Sequence, residues 1–151
     1  MHPEVAAIII EPIQGEGGDN HFPLEFFTNI RRIADQNDCL LIFDEVQTGL
    51  GLTGKMWAYE HFDVIPDIMC FGKKTQVCGF CSTGRIDEIE DNVFTTSGRI
   101  NSTWGGNIVD MVRFRYIIDA IHKHELVKNA HDVGRDLLCG LRKITKIENI
   151  R

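Results

Sequence analysis

Hydrophobic positions in this chain fall into short solid runs separated by longer segments in which they recur every three or four residues. "VAAIII" (5–10) is a continuous apolar run, β-branched at its end and stopped by Glu11 and Pro12. Such a run predicts a strand buried on both faces, as in a parallel sheet. "CLLIF" (39–43) and "DIMCF" (67–71), the latter bounded by Pro66 and Gly72, predict two more. Between the first two, "PLEFFTNIRRIADQN" (23–37) places Phe26, Phe27, Ile30, Ile33 and Ala34 on one stripe at helical spacing, with Pro23 at its start. A glycine-rich loop (49–54) and a short helical segment around "WAYEHF" lead to the third strand. Strands alternating with helices predict an α/β fold with a mostly parallel sheet and right-handed crossovers.

Beyond Val77 the pattern weakens to short strands and loops as far as Trp104. "IVDMVRFRYIIDAIHKH" (108–124) then predicts an amphipathic helix, and "ELVKNAHDVGRDLLCGLRKITK" another. No repeat, low-complexity tract or linker interrupts the chain. Both ends are abrupt, because the first strand starts almost at once and the last helix is followed only by "IENIR".

Composition narrows the class. The 151 residues are 43% hydrophobic and 25% charged with a net charge of -6, the balance of an ordinary globular domain. No basic stripe is present to neutralise phosphates, which argues against nucleic acid as a partner. No apolar stretch approaches the roughly 20 residues that span a bilayer, and the opening "MHPEVAAIII" lacks the basic region and cleavage site of a signal peptide. Five cysteines (Cys39, Cys70, Cys78, Cys81, Cys139) fit reduced thiols in a cytoplasmic protein better than a disulfide framework. Cys78 and Cys81 lack the second Cys pair or spaced His of a zinc site and read as small strand residues. His122 and His124 are two apart on a helix and do not share a face, so no metal site is expected.

Candidate chemistry lies at the strand ends. In an open parallel sheet, ligands bind outside the carboxyl ends of the strands. Glu11 follows the first predicted strand, Asp44 and Glu45 the second, and Lys73 and Lys74 the third. A carboxylate on one strand end and a lysine on the next suit pyridoxal phosphate, since the amine forms a Schiff base and the carboxylate keeps the ring nitrogen protonated. Solvated strand ends are the plain alternative. Alternation along a strand would let only one of the two lysines face a cofactor, without saying which. "GLGLTG" (49–54) matches a dinucleotide-binding glycine pattern, but Asp44 to Thr48 separate it from the strand, and the next strand ends in lysine where an acidic residue belongs. Those glycines read instead as a flexible turn near the site.

Four stretches, "EPIQGEGGDNHF", "LLIFDEVQTGLGLTGKMWAYEH", "PDIMCFGKKTQVCG" and "INSTWGGN", occur in an order and spacing that resemble the class III (fold type I) pyridoxal-phosphate aminotransferases. The resemblance runs over nearly the whole chain. It implies that Asp44 pairs with the pyridinium nitrogen, Val46 packs on the ring face and Gln47 hydrogen-bonds the phenolic oxygen. It implies that Lys73 is the Schiff-base residue, leaving Lys74 to packing or ion pairing. Thr103 is implied to reach the cofactor phosphate of a neighbouring subunit, so that sites are shared in a homodimer. Asn101 is similar to a residue near the substrate carboxylate. Glu16 is similar to a gate that captures a substrate-binding arginine when an ω-amine is bound.

The implied reaction moves a terminal amino group, most closely the 6-amino group of L-lysine, to 2-oxoglutarate, leaving 2-aminoadipate 6-semialdehyde and L-glutamate. Donors such as 4-aminobutyrate or ornithine are the alternative within the family, and a noncatalytic remnant is the alternative outside it. Family members are roughly three times this long, in line with a large domain plus terminal parts. The phosphate loop, the ring-stacking aromatic and the substrate arginine are therefore expected outside these residues. The expected division is a partial cofactor-binding large domain over 1–125 and the start of a small domain over 126–151.

Overall fold

The computed structural model describes residues 4–100, 103 and 105–144. Four strands form one sheet in the order β1 (Ala7–Ile10), β2 (Leu40–Asp44), β3 (Ile68–Phe71) and β4 (Gly79–Ser82). The first three run parallel, and β4 returns antiparallel to β3 within the segment where the sequence signal weakens. Helix α1 (Leu24–Gln36) forms the β1–β2 crossover. Pro23, expected as the first helical residue, is its N-cap, and the helix starts one residue later at Leu24. Helices α2 (Ile108–Lys123) and α3 (Leu126–Ile144) follow in contact with each other, joined at His124 and Glu125. Glu125 has the positive φ of 49° that turns the chain. The fold is α/β with a mostly parallel sheet.

One face of the sheet makes the core. Ile8 pairs with Leu41, Ile10 with Phe43, and Phe43 with Met69, so their side chains share a side. Phe27 and Ala34 of α1 are buried against them. The Phe27 ring stacks on Phe62 at 3.9 Å and meets Phe43 edge-on at 5.7 Å. The expectation that β1 is buried on both faces is corrected. Ile9, on the opposite side, is 64% exposed because no described element covers that face of β1.

An ion-pair cluster locks α1 to the sheet. Asp67, nearly buried ahead of β3, accepts hydrogen bonds from the Leu41 amide (2.7 Å), Arg31 (3.0 Å) and Arg85 (3.1 Å). Two guanidinium groups and a backbone donor satisfy the carboxylate, which burial alone would penalise. Arg85 also reaches Asp38 and thereby ties the segment after β4 to the α1–β2 turn.

The glycine-rich loop is a packed turn rather than the flexible one expected. Gly49, Leu50, Gly51 and Gly54 are buried. A methyl at Gly49 would lie 2.5 Å from the Trp57 ring, and one at Gly54 (φ 82°) would lie 2.9 Å from the His131 Cα on α3. These glycines let α3 and Trp57 approach the backbone closely.

Candidate active site

The carboxyl ends of β2 and β3 lie side by side, with Asp44 paired to Cys70. The Asp44 side chain folds over its own turn and accepts from the Val46 amide at 3.0 Å. Burial, and secondarily the Asp44 charge, push the Cys70 thiol above its usual range. The Asp44 carboxylate thus stands at the end of β2 beside the next strand.

After β3 the chain does not continue as a strand. Gly72 leads into a single 3-10 turn, Lys73–Thr75, in which Lys73 has φ 42° and the closing Gln76 has φ 60°. Strand alternation therefore does not govern the lysine pair. The reason is local: Lys73, in the left-handed region, ends the extended run, and Thr75, fully buried, turns inward to donate to the Val77 carbonyl. Both amines meet the same residue. Lys73 Nζ donates to the Gln47 side-chain oxygen, and Lys74 Nζ donates to the Gln47 main-chain carbonyl at 2.5 Å. The Lys73 side chain is exposed and the Lys74 side chain half-buried. Val46 flanks the same turn, since a methyl at Gly72 would sit 3.6 Å from its Cγ atoms.

A third segment reaches Gln47. Residues 13–21 form a small hairpin closed by an Ile13–His21 bridge and by Gln14 N–H to the Asn20 carbonyl at 3.1 Å. A methyl at Gly15 would lie 3.3 Å from Gln47 Cγ, so the hairpin leans on Gln47. Glu16 is exposed beside that contact, in the turn of the hairpin.

Asp44, Val46, Gln47 and Lys73 are thus brought together, with Glu16 one residue from the contact. Thr103 stands exposed in a turn ahead of α2. Asn101 lies outside the described residues. None of the five cysteines is in a disulfide; Cys39 is buried, while Cys78 and Cys81 are both exposed. Among the described residues, no group of three or more His, Cys, Asp or Glu could hold a metal ion. No helix among them is long and apolar enough to cross a membrane.

The sequence left one functional neighbour without a role. Glu45 is 1% exposed and accepts from the Ala58 amide (3.0 Å), the Tyr59 amide (2.8 Å) and the Thr48 hydroxyl (2.5 Å). It fastens the Asp44–Thr48 loop to the 3-10 turn Ala58–His61. Its signal was the Thr48 hydroxyl three residues on, a spacing that brings the two side chains together within one turn.

A family model for class-III aminotransferases matches residues 1–151. The chain belongs to the class-III aminotransferases. Within this family, the L-lysine-epsilon aminotransferase of Mycobacterium tuberculosis is 54% identical over 141 residues, 93% of this chain and 31% of the relative. The human mitochondrial 4-aminobutyrate aminotransferase is 42% identical over 139 residues, 91% of this chain and 27% of the relative. The solved structure of a lysine aminotransferase from M. tuberculosis superposes with a TM-score of 0.87 at 54% identity, covering 91% of this chain and 32% of that one. The chain spans about a third of the length of the class-III relatives it matches.

Proposed function

We propose that the full-length protein transfers a terminal amino group, from L-lysine to 2-oxoglutarate, on pyridoxal 5′-phosphate. The observation that carries this is the convergence of the Lys73 amine and the Gln47 side chain beside Asp44, at the carboxyl ends of two parallel strands. The donor set fits the cofactor. An exposed primary amine suits its aldehyde, the amide of Gln47 suits its phenolic oxygen, and an anionic carboxylate one strand away suits its pyridine nitrogen. When bound, the cofactor supplies an aldehyde and a ring that takes up the electrons of a carbon losing its proton.

The residues of this chain supply the rest. Asp44 keeps the proton on the ring nitrogen by its charge, and its own bond to the Val46 amide fixes its orientation. Val46 offers an apolar surface to one ring face. Lys73 is the attachment point and, once displaced by the substrate amine, its Nζ takes the proton from the donor's ω-carbon. Glu16 serves as the gate: it holds an arginine out of the donor's apolar path in one half-reaction and releases it to a dicarboxylate in the other. Thr103 and Asn101 complete the site, Thr103 from a second subunit of a homodimer. Residues 1–125 belong to the large domain and 126–151 begin the small one. The protein works in the cytoplasm, in keeping with its free thiols. The higher identity to the lysine-acting relatives favours lysine over 4-aminobutyrate as donor.

The test is covalent. Borohydride reduction of the full-length protein with pyridoxal 5′-phosphate, followed by peptide mapping, should leave the pyridoxyl group on Lys73. A label on Lys74, or on neither lysine, overturns the reading.

A further inference from the structure

The geometry points to Lys74 as a positioning residue that holds Gln47 and the Lys73 turn in register while Lys73 itself comes and goes. The inference rests on the proposed role of Lys73. Its observation is that the two lysines grip different atoms of one residue: Lys73 binds the Gln47 side chain, Lys74 its main-chain carbonyl at 2.5 Å.

The two bonds have different fates. Lys73 must release Gln47 whenever its amine engages the cofactor or moves a proton, so this link cannot keep the loops together through a turnover. The Lys74 link does not involve the reacting amine and survives each step. The turn needs such a link, because it contains two non-glycine residues in the left-handed region, Lys73 and Gln76. Such conformations persist only where surrounding bonds over-determine them. Within the turn, Thr75 N–H binds the Gly72 carbonyl and Gln76 N–H the Lys73 carbonyl, each at 3.1 Å. These close the turn on itself without aiming it at β2. Among the described residues, Lys73 and Lys74 make the only side-chain hydrogen bonds that join this turn to the Asp44–Thr48 loop. Lys74 also stands between charges of opposite effect. Burial and the neighbouring Lys73 disfavour its protonation, while the buried Glu45 carboxylate supports it.

The experiment uses the full-length protein with Lys74→Met and Lys74→Arg, the second keeping a cationic donor of at least equal reach. Lys74→Met should lower kcat about tenfold or more, as small misplacements of a reacting group do, and leave KM for the amine donor nearly unchanged. Lys74→Arg should recover most of the loss. An unchanged kcat, a loss expressed in KM alone, or equal loss in both folded variants overturns the inference. Should Lys74→Met fail to fold, Lys74→Gln, one bond shorter but polar, replaces it under the same criteria. A second readout needs no turnover: amide hydrogen exchange in the cofactor-free protein. Loss of the clamp should speed exchange at Thr75 and Gln76 and, across the gap, at Gly49. Faster exchange at Thr75 and Gln76 alone means that Lys74 supports only its own turn and overturns the inference. If wild-type Lys73 takes up no pyridoxal phosphate, the proposed function fails, and the exchange result at Gly49 still decides the clamp.

Discussion

Adjacent carboxylates on β2 and its loop divide their work. Asp44 is half-buried and accepts from the Val46 amide of its own turn, whereas Glu45 is wholly inside and spends its lone pairs on Ala58, Tyr59 and Thr48. All three partners of Glu45 donate, and the amide of a glutamine would turn one accepting oxygen into a donor facing a donor. Glu45→Gln is therefore expected to lower stability by about 2–3 kcal/mol, the scale of lost charge-assisted bonds plus an unsatisfied group. Denaturant midpoints measure it. A change within about 0.5 kcal/mol, typical of unconstrained surface sites, would show that the loop does not depend on this carboxylate.

At the scale of elements, three strands and three helices were legible in the hydrophobic pattern, because β-branched runs and helical stripes are local properties. Parallel pairing of β1, β2 and β3 followed from the strand–helix alternation. What was not legible depends on long-range contacts. Strand β4 carries three small residues, Gly79, Cys81 and Ser82, and gains its register only from pairing with β3. The turn at Lys73 is set by the left-handed Lys73 and Gln76 and by inward-turned Thr75, not by any periodicity, so a strand-alternation argument could not address the lysine pair. Asp44 and the lysine pair were legible as strand ends, whereas Val46, Gln47 and Glu16 entered only through the resemblance, and the meeting of both amines on Gln47 was not legible at all. The glycine-rich loop was misjudged for a similar reason. Gly51 and Gly54 answer to α3, some seventy-five residues later in the chain. Gly54→Ala should therefore cost about 2 kcal/mol or more, combining a positive φ with a backbone contact that cannot yield. The loss should appear in the denaturant midpoint and in faster amide exchange along the first turns of α3. An unchanged midpoint would mean that α3 is not packed on this loop.

The molecule as a whole covers only one side of its apolar surface. Ile9 on β1, Ile108, Met111, Val112 and Tyr116 on α2, and Leu137 and Leu141 on α3 are all exposed. An open hollow of about 590 Å³ runs along α2 between several of these side chains. Exposed apolar patches of this kind drive association. These 151 residues expressed alone should therefore self-associate in a concentration-dependent manner in sedimentation experiments; a monomer at all concentrations would contradict it. Function leaves its mark at the same scale through one dihedral angle. At φ 42° the backbone of residue 73 favours glycine or asparagine. A lineage released from the need for an amine would drift there toward those residues and gain stability. On the role proposed for Lys73, a noncatalytic remnant should therefore lose lysine at this position early.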